Sequence, residues 1–288
     1  MVKHHLWRPK YKHVIKASGR VEPFIPHKLE ASLEGSKVDP WLADKLYEYL
    51  EQKQDDKDQI TTADLRNQIH TFLKRNHTGA AAHYKLREAV MQLGPDGFAF
   101  EKYFAHILHD LDYAVHVGQM VQGSCVQHEV DVVAIKDDLV EMVECKFHNR
   151  FGVKSDVKVA MYVWARFVDI KDAYDSKLEN SRKFNDGWLV TNTKLTDDAR
   201  KFATCRGLKI VSWNHPHGSS LKDMIEKRGH FPVTVLTDLR SHTVQLLLDR
   251  GIVSCGQLLA ADDRMLADLA QNQIRKARVE AQTICEYR

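Results

Sequence analysis

His128-Glu129-Val130-Asp131-Val132-Val133-Ala134, the pair Asp137-Asp138, and Leu139-Val140-Glu141-Met142-Val143-Glu144-Cys145-Lys146-Phe147 decide how this chain is read. Both apolar runs have the length and β-branched content of strands, and the two aspartates between them suit a turn. Side chains alternate between faces along a strand, so Asp131 shares a face with Glu129 and Val133. Glu144 and Lys146 share a face on the second strand, with Val143, Cys145 and Phe147 on the other. If the strands pair through Asp137-Asp138, Asp131 and Glu144 approach each other at one end, in a register that pattern alone does not set. Carboxylates embedded among Val130, Val132, Val133, Val140, Met142 and Val143 are costly without compensation. A hard divalent cation supplies it: oxygen donors with residual water suit Mg²⁺, with Mn²⁺ as a substitute. Such an ion activates water, and Lys146 would orient that water or stabilise a pentavalent transition state. The expected chemistry is phosphodiester hydrolysis. Against it stands a plain alternative, since charges at strand ends are commonly solvent-facing and a lone E-x-K carries little information.

Outward from this hairpin the chain reads as α/β. Phe98, Tyr103, Phe104, Ile107, Leu108 and Leu111 mark an amphipathic helix. A strand over residues 113–117 precedes the hairpin, and a long helix over 156–171 follows it. Strand 187–191, helix 197–205 and strand 208–213 complete an alternation typical of a sheet flanked by helices. The turn-rich Leu93-Gly94-Pro95-Asp96-Gly97 bounds this region on one side and His230-Phe231-Pro232 on the other. Three domains are therefore expected, over residues 1–93, 94–229 and 230–288. In the first, Val14 to Phe24 reads as two short strands around Ser18-Gly19. Helices follow, from Pro26, over Trp41–Leu50 with Trp41 on the apolar side, after a cap at Thr61 or Thr62, and over Ala80–Met91. In the third, short helices are joined by turns.

Formal net charge is +3 over 288 residues, too small to imply a nucleic-acid partner. The first 20 residues carry six Lys or Arg and no acid, against an acidic patch of Glu51, Asp55, Asp56 and Asp58. That basic arm suits phosphate contact or simply a solubilising end. Lys154, Lys158, Arg166, Lys177, Arg182 and Lys183 add positive charge near the long helix, either to grip phosphates or as a wetted face. The five cysteines, at 125, 145, 205, 255 and 285, are too scattered for a C-x-x-C metal or redox site. No apolar stretch approaches the roughly 20 residues that span a bilayer. A cytoplasmic protein without a membrane partner is expected.

From Phe98 to Trp213 the sequence resembles the Mrr-type restriction endonucleases, within the superfamily sharing the PD-(D/E)-x-K nuclease core. The matching residues are Gly97-Phe98 with Phe100-Glu101, Gly123, His128-Glu129-Val130-Asp131, and Glu144-Cys145-Lys146-Phe147-His148. Val130 stands where the motif's proline is usual. The resemblance implies an α/β/α core with a mixed sheet, DNA as substrate, Asp131 and Glu144 as metal ligands, and Lys146 as the catalytic lysine. It also assigns Glu101 to the acidic metal site, although that residue reads equally well as an exposed helix position. His128 and His148 read as polar neighbours, Glu129 as solvent-facing or an accessory acid, and Cys145 as core.

Residues 12–91 resemble the ATP-cone, a helical nucleotide-binding regulatory module. The resemblance rests on Val14-Ile15-Lys16, Gly19, Val21-Glu22-Pro23-Phe24, Lys28-Leu29, Ile60, Thr62 and Tyr84. It implies ATP or dATP as a regulatory ligand, with Lys16 and Lys28 on the phosphates, Glu22 on the binding loop, and Thr62 as a further contact. Lys16-Ala17 replaces the family's Lys-Arg, which removes a five-donor guanidinium. No Walker lysine motif is present, so nucleotide binding rather than hydrolysis is expected. Leu246-Leu247-Leu248, Gly251-Ile252 and Leu258-Leu259 weakly resemble a helix-hairpin-helix DNA-binding unit, and suit dimerisation or packing equally. The expectation is a Mg²⁺-dependent DNA endonuclease regulated by ATP or dATP, with homo-oligomerisation left open. The alternative is a nucleotide-responsive DNA-binding regulator or assembly protein with an inactive nuclease fold.

Overall fold

Asp137, at φ 53°, makes the tight two-residue turn that joins strands β5 (Gln127–Lys136) and β6 (Leu139–Lys146). Aspartate tolerates this left-handed conformation, and Lys136 pairs directly with Leu139 across it. These features belong to a computed structural model that describes residues 11–53, 58–175 and 183–287. The first ten residues, with half of the basic arm's six cations, lie outside the described residues, as do Asp55, Asp56, Lys177 and Arg182. The chain is mixed α/β and divides into two compact units, one of residues 1–86 with 283–287, the other of residues 87–282. Among the described residues, no helix is long and apolar enough to cross a membrane.

In the first unit, β1 (His13–Ile15) and β2 (Val21–Pro23) form the expected hairpin. Gly19 turns it at φ 80°. A third strand, β3 (Gln59–Thr61), lies parallel to β1 and was not anticipated, because three residues show no periodicity. Helices α1 (Pro26–Glu34), α2 (Pro40–Gln52), α3 (Thr62–Asn76) and α4, which begins at Thr78 and ends at Met91, supply the core. Pro26 and Pro40 occupy first-turn positions where a missing N–H costs little. Thr61 caps α3 by accepting from the Asp64 N–H at 3.0 Å. Leu33, Leu42, Leu46, Leu50, Ile69 and Leu73 are buried together. Trp41 departs from expectation: it is 51% exposed, with Lys45 Nζ 4.9 Å from its ring centre. A cation over the ring lets an aromatic remain at the surface.

In the second unit, α5 (Phe98–His109) precedes a mixed sheet of order β10-β8-β6-β5-β4. Strands β4 (Ala114–Gln122), β5 and β6 run antiparallel, whereas β6, β8 (Phe184–Thr191) and β10 (Lys209–Val211) are parallel. A two-residue parallel ladder joins β7 (Lys154–Ser155) to β9 (Lys194–Leu195). Helices α6 (Val157–Asp175) and α7 (Asp197–Arg206) bury Ala160, Val163, Ile170, Ala199 and Ala203 against the face bearing Val133, Val140 and Met142. The opposite face, with Val143 registered beside Trp188, receives α5, whose Phe104 ring lies 6.3 Å from that of Trp188. Helices α8 (Leu221–Arg228), α9 (Ser241–Asp249), α10 (Cys255–Ala260) and α11 (from Gln271 to Glu286) follow. Phe98, expected on the apolar side of α5, is 50% exposed and carries Lys102 over its ring instead.

Candidate active site

Register places the acidic pair. Val132 pairs with Val143, so one step further Asp131 stands opposite Glu144, and directly opposed residues of an antiparallel ladder share a face. The ladder ends here, because Asp131 takes over the backbone: its Oδ2 accepts the Cys145 N–H at 2.6 Å. Lys146 follows on the same face as Glu144, at the carboxyl end of β6 beside Thr191 of β8. Glu101 comes from the first turn of α5, and its carboxylate lies against Gly97.

The electrostatics tie these groups together. Burial first, then the Asp131 charge, push the carboxyl of Glu101 up to about 7. Glu144 is also raised to about 7, by burial and then by Asp131, with Glu101 adding to the effect. Asp131 is raised by burial, against the opposing pull of the Cys145 N–H, Arg166 and Lys146. A neutral-pH solution therefore meets three half-buried carboxyls that do not all ionise comfortably without added positive charge.

Part of that charge is built in. Arg166 of α6, only 8% exposed, donates through Nη1 to Glu144 Oε2 at 2.5 Å and through Nη2 to the carbonyl of Glu129. It is the main departure from the sequence reading, which placed Arg166 among phosphate-gripping or wetted cations. Glu129 itself is exposed, as expected, and its charge adds to the repulsion felt by Asp131 and Glu101.

The surrounding loops are pinned by specific partners. Asp169 of α6 accepts from the Cys125 N–H at 2.8 Å and lies 2.7 Å from His128 Nε2, which holds its carboxyl down at about 2. Gly123 is required at this turn, because a Cβ there would lie 2.1 Å from Asp169 Oδ2. Beyond Lys146, buried Asn192 holds the chain by accepting from the His148 N–H at 2.9 Å and donating to its carbonyl at 2.8 Å. His148 Nε2 in turn lies 2.9 Å from Ser155 Oγ. His128 and His148 are thus positioning groups for the loops flanking the carboxylates.

A second constellation lies in the first unit. Lys16, Glu22, Lys28 and Thr62 all line one cavity of about 160 Å³, together with Ser32, Arg66 and Tyr84. Glu22 Oε2 lies 3.5 Å from Lys16 Nζ and 3.8 Å from Lys28 Nζ, and Thr62 Oγ1 donates to the Ile15 carbonyl at 3.0 Å. The cavity is smaller than the roughly 300–1,000 Å³ of typical ligand pockets. A ligand of nucleotide size would exceed it. Arg66 and Ser32 were missed in the sequence, where the only available signal was Arg66 falling one helical turn after Thr62.

An uncharacterized protein of Archaeoglobus fulgidus is 32% identical over 182 residues, which are 62% of this chain and 98% of that protein. A family model described as AF1548-like, C-terminal, matches residues 231–285. A solved structure described as a protein of unknown function, AF1548, aligns with a TM-score of 0.56 at 30% identity, over 65% of this chain and 97% of its own. The chain belongs to the AF1548-like family. In this AF1548-like chain, short-range pattern located Asp131, Glu144 and Lys146, which meet on adjacent strands. Arg166 and Asp169 have no such signal, because their roles arise only when α6 packs across the hairpin.

Proposed function

We propose that this AF1548-like protein is a metal-dependent DNA endonuclease whose second unit has a restriction-endonuclease-like core. The observation that carries the reading is the meeting of Asp131, Glu144 and Glu101 beside Lys146, with two of the carboxyls held at about 7. This donor set fits Mg²⁺ or Mn²⁺: it is all oxygen, and the groups destabilise one another when ionised together. Asp131 and Glu144 would hold the ion, with Glu101 completing the set directly or through water. When bound, the ion supplies an activated water and offsets charge on the scissile phosphate.

The chain's own residues do the rest. The Cys145 N–H fixes Asp131 Oδ2, leaving Oδ1 for a ligand. Arg166 restrains one oxygen of Glu144 and so presets its rotamer. Lys146 carries a positive charge to the phosphate side, where it orients the nucleophile and stabilises the charge that develops on phosphoryl oxygens. Exposed Lys154 and Lys158, around the start of α6, offer charge to neighbouring phosphates.

Cleavage of supercoiled, linear and single-stranded DNA with Mg²⁺, against an EDTA control, tests this reading. Lys146→Ala is expected to lower the rate by roughly 10²- to 10³-fold. Asp131→Ala and Glu144→Ala are expected to lose at least as much while remaining folded. Folded Asp131→Ala cleaving as fast as wild type would overturn the assignment. The second reading, a DNA-binding regulator or assembly protein with an inactive core, draws on Arg166, whose ion pair competes with a metal for Glu144. DNA binding without metal-dependent cleavage would select it.

ATP or dATP is proposed as a regulatory ligand of the first unit. Its support is that Lys16, Glu22, Lys28 and Thr62 line a single cavity. The lysines would exchange Glu22 for phosphate oxygens, with Arg66 as an added donor.

A further inference from the structure

Away from the carboxylate pair, His106 and Asp110 lie four residues apart at the end of α5, and therefore on one helix face. His230, which follows α8 and Gly229, packs against them. One ligand atom from each of the three lies within 4.8 Å of the others. The two imidazole rings meet edge-on, with centroids 5.1 Å apart.

His230 is 4% exposed, and its Nε2 is buried without a hydrogen-bond partner. Asp110 Oδ2 lies 3.3 Å away without satisfying that nitrogen's hydrogen-bond geometry. A buried, unsatisfied ring nitrogen forfeits its contact with water for nothing in return and calls for a physical reason. A histidinium–aspartate pair is not that reason. Burial and the neighbouring His106 push His230 down to about 4, and burial lowers His106 as well. Neutral imidazole is the metal-binding form.

The surroundings hold these groups in place. Tyr103 Oη donates to the His230 carbonyl at 2.5 Å, and Arg228 Nη1 donates to the Asp110 carbonyl at 2.6 Å. Ser254 Oγ, buried at the start of α10, lies 3.1 Å from His106 Nε2, an outer contact of the kind that fixes the orientation of ligating imidazoles.

We propose that His106, Asp110 and His230 bind a divalent first-row transition metal, with Zn²⁺ as the probe, as a clamp between α5 and the start of the C-terminal segment. Two nitrogens and one carboxylate suit Zn²⁺ or Co²⁺ and disfavour Mg²⁺, which prefers oxygen. The fourth position is left to water. The ligands need only small side-chain rotations, since Zn–N bonds of about 2.1 Å set neighbouring donors about 3.4 Å apart. The clamp would join α5 to the residue just ahead of the segment matched by the family model, with ligands separate from Asp131 and Glu144.

The test uses the full chain stripped with EDTA and titrated with Co²⁺, followed by visible absorption and then displacement by Zn²⁺. One equivalent giving d–d bands, retained in excess Mg²⁺ and in the Asp131→Ala/Glu144→Ala double variant, is expected. His106→Gln and Asp110→Asn should weaken Zn²⁺ binding by about 10-fold or more. Asp110 is the safer variant because its side chain is 40% exposed. Zn²⁺ should also raise the melting temperature of wild type more than that of Asp110→Asn. Absence of binding, its loss in the double variant, or unchanged affinity in both single variants would overturn the proposal.

Discussion

Replacing Glu144 by glutamine is expected to stabilise the metal-free protein at high pH while removing the proposed cleavage activity. The sign follows from the folded-state shift. Glu144 is held at about 7 against an ordinary 4.5, so the native state binds the proton more tightly than the unfolded chain. Stability from this group is fully present below about 4.5, falls as pH rises, and has been lost once pH exceeds 7. At 1.36 kcal/mol for each pH unit between the two values, the ionised carboxylate costs about 3 kcal/mol. Arg166 already offsets part of the repulsion, and its attraction is included in the position near 7. The amide of Glu144→Gln would keep an oxygen for that guanidinium and lose the repulsion with Asp131 and Glu101. The side chain is only 17% exposed, so water trims the figure to about 2–3 kcal/mol, which for a unit of this size is roughly 5–10 °C. Thermal or urea denaturation in EDTA, at pH 4 and pH 8, measures it. Wild type and Glu144→Gln should coincide at pH 4 and separate at pH 8, with the variant more stable. Added Mg²⁺ should close the gap by stabilising wild type alone. Equal stability at both pH values, or a less stable variant at pH 8, would refute the account of repelling carboxylates.

Arg166→Met should destabilise the second unit by about 3 kcal/mol, because it strands Glu144 and the Glu129 carbonyl. The loss should be larger at pH 8 than at pH 5, where Glu144 is mostly protonated, and denaturation curves at the two values check it. Calorimetry with ATP, dATP and ADP at fixed free Mg²⁺ should give binding that Lys16→Ala and Lys28→Ala each weaken. If a nucleotide also changes DNA affinity, DNA must change nucleotide affinity by the same factor. Failure of all three nucleotides to bind would remove the regulatory reading.

What could be read along the chain, before any folding, is local. Alternation placed Asp131 on one strand face and Glu144 with Lys146 on another, and Asp137-Asp138 announced the turn that brings them opposite. Helical periodicity marked α1 to α5 closely, since burying one apolar stripe repeats every three or four residues. Packing settles what periodicity does not encode. Alternation gave the face of each side chain but not the register, which Val132 opposite Val143 supplies. Arg166 looks like any surface arginine until α6 crosses the hairpin and buries it against Glu144. Strand β3 is three residues long and exists through its pairing with β1. His106 and His230 are far apart in the chain and meet only because the segment after α8 returns to α5. A hydrophobic pattern reports which side of an element turns away from water. The ionisation of a carboxylate or the partner of an imidazole depends on groups delivered by other elements, through burial and distances of a few ångströms, and only the folded chain sets those.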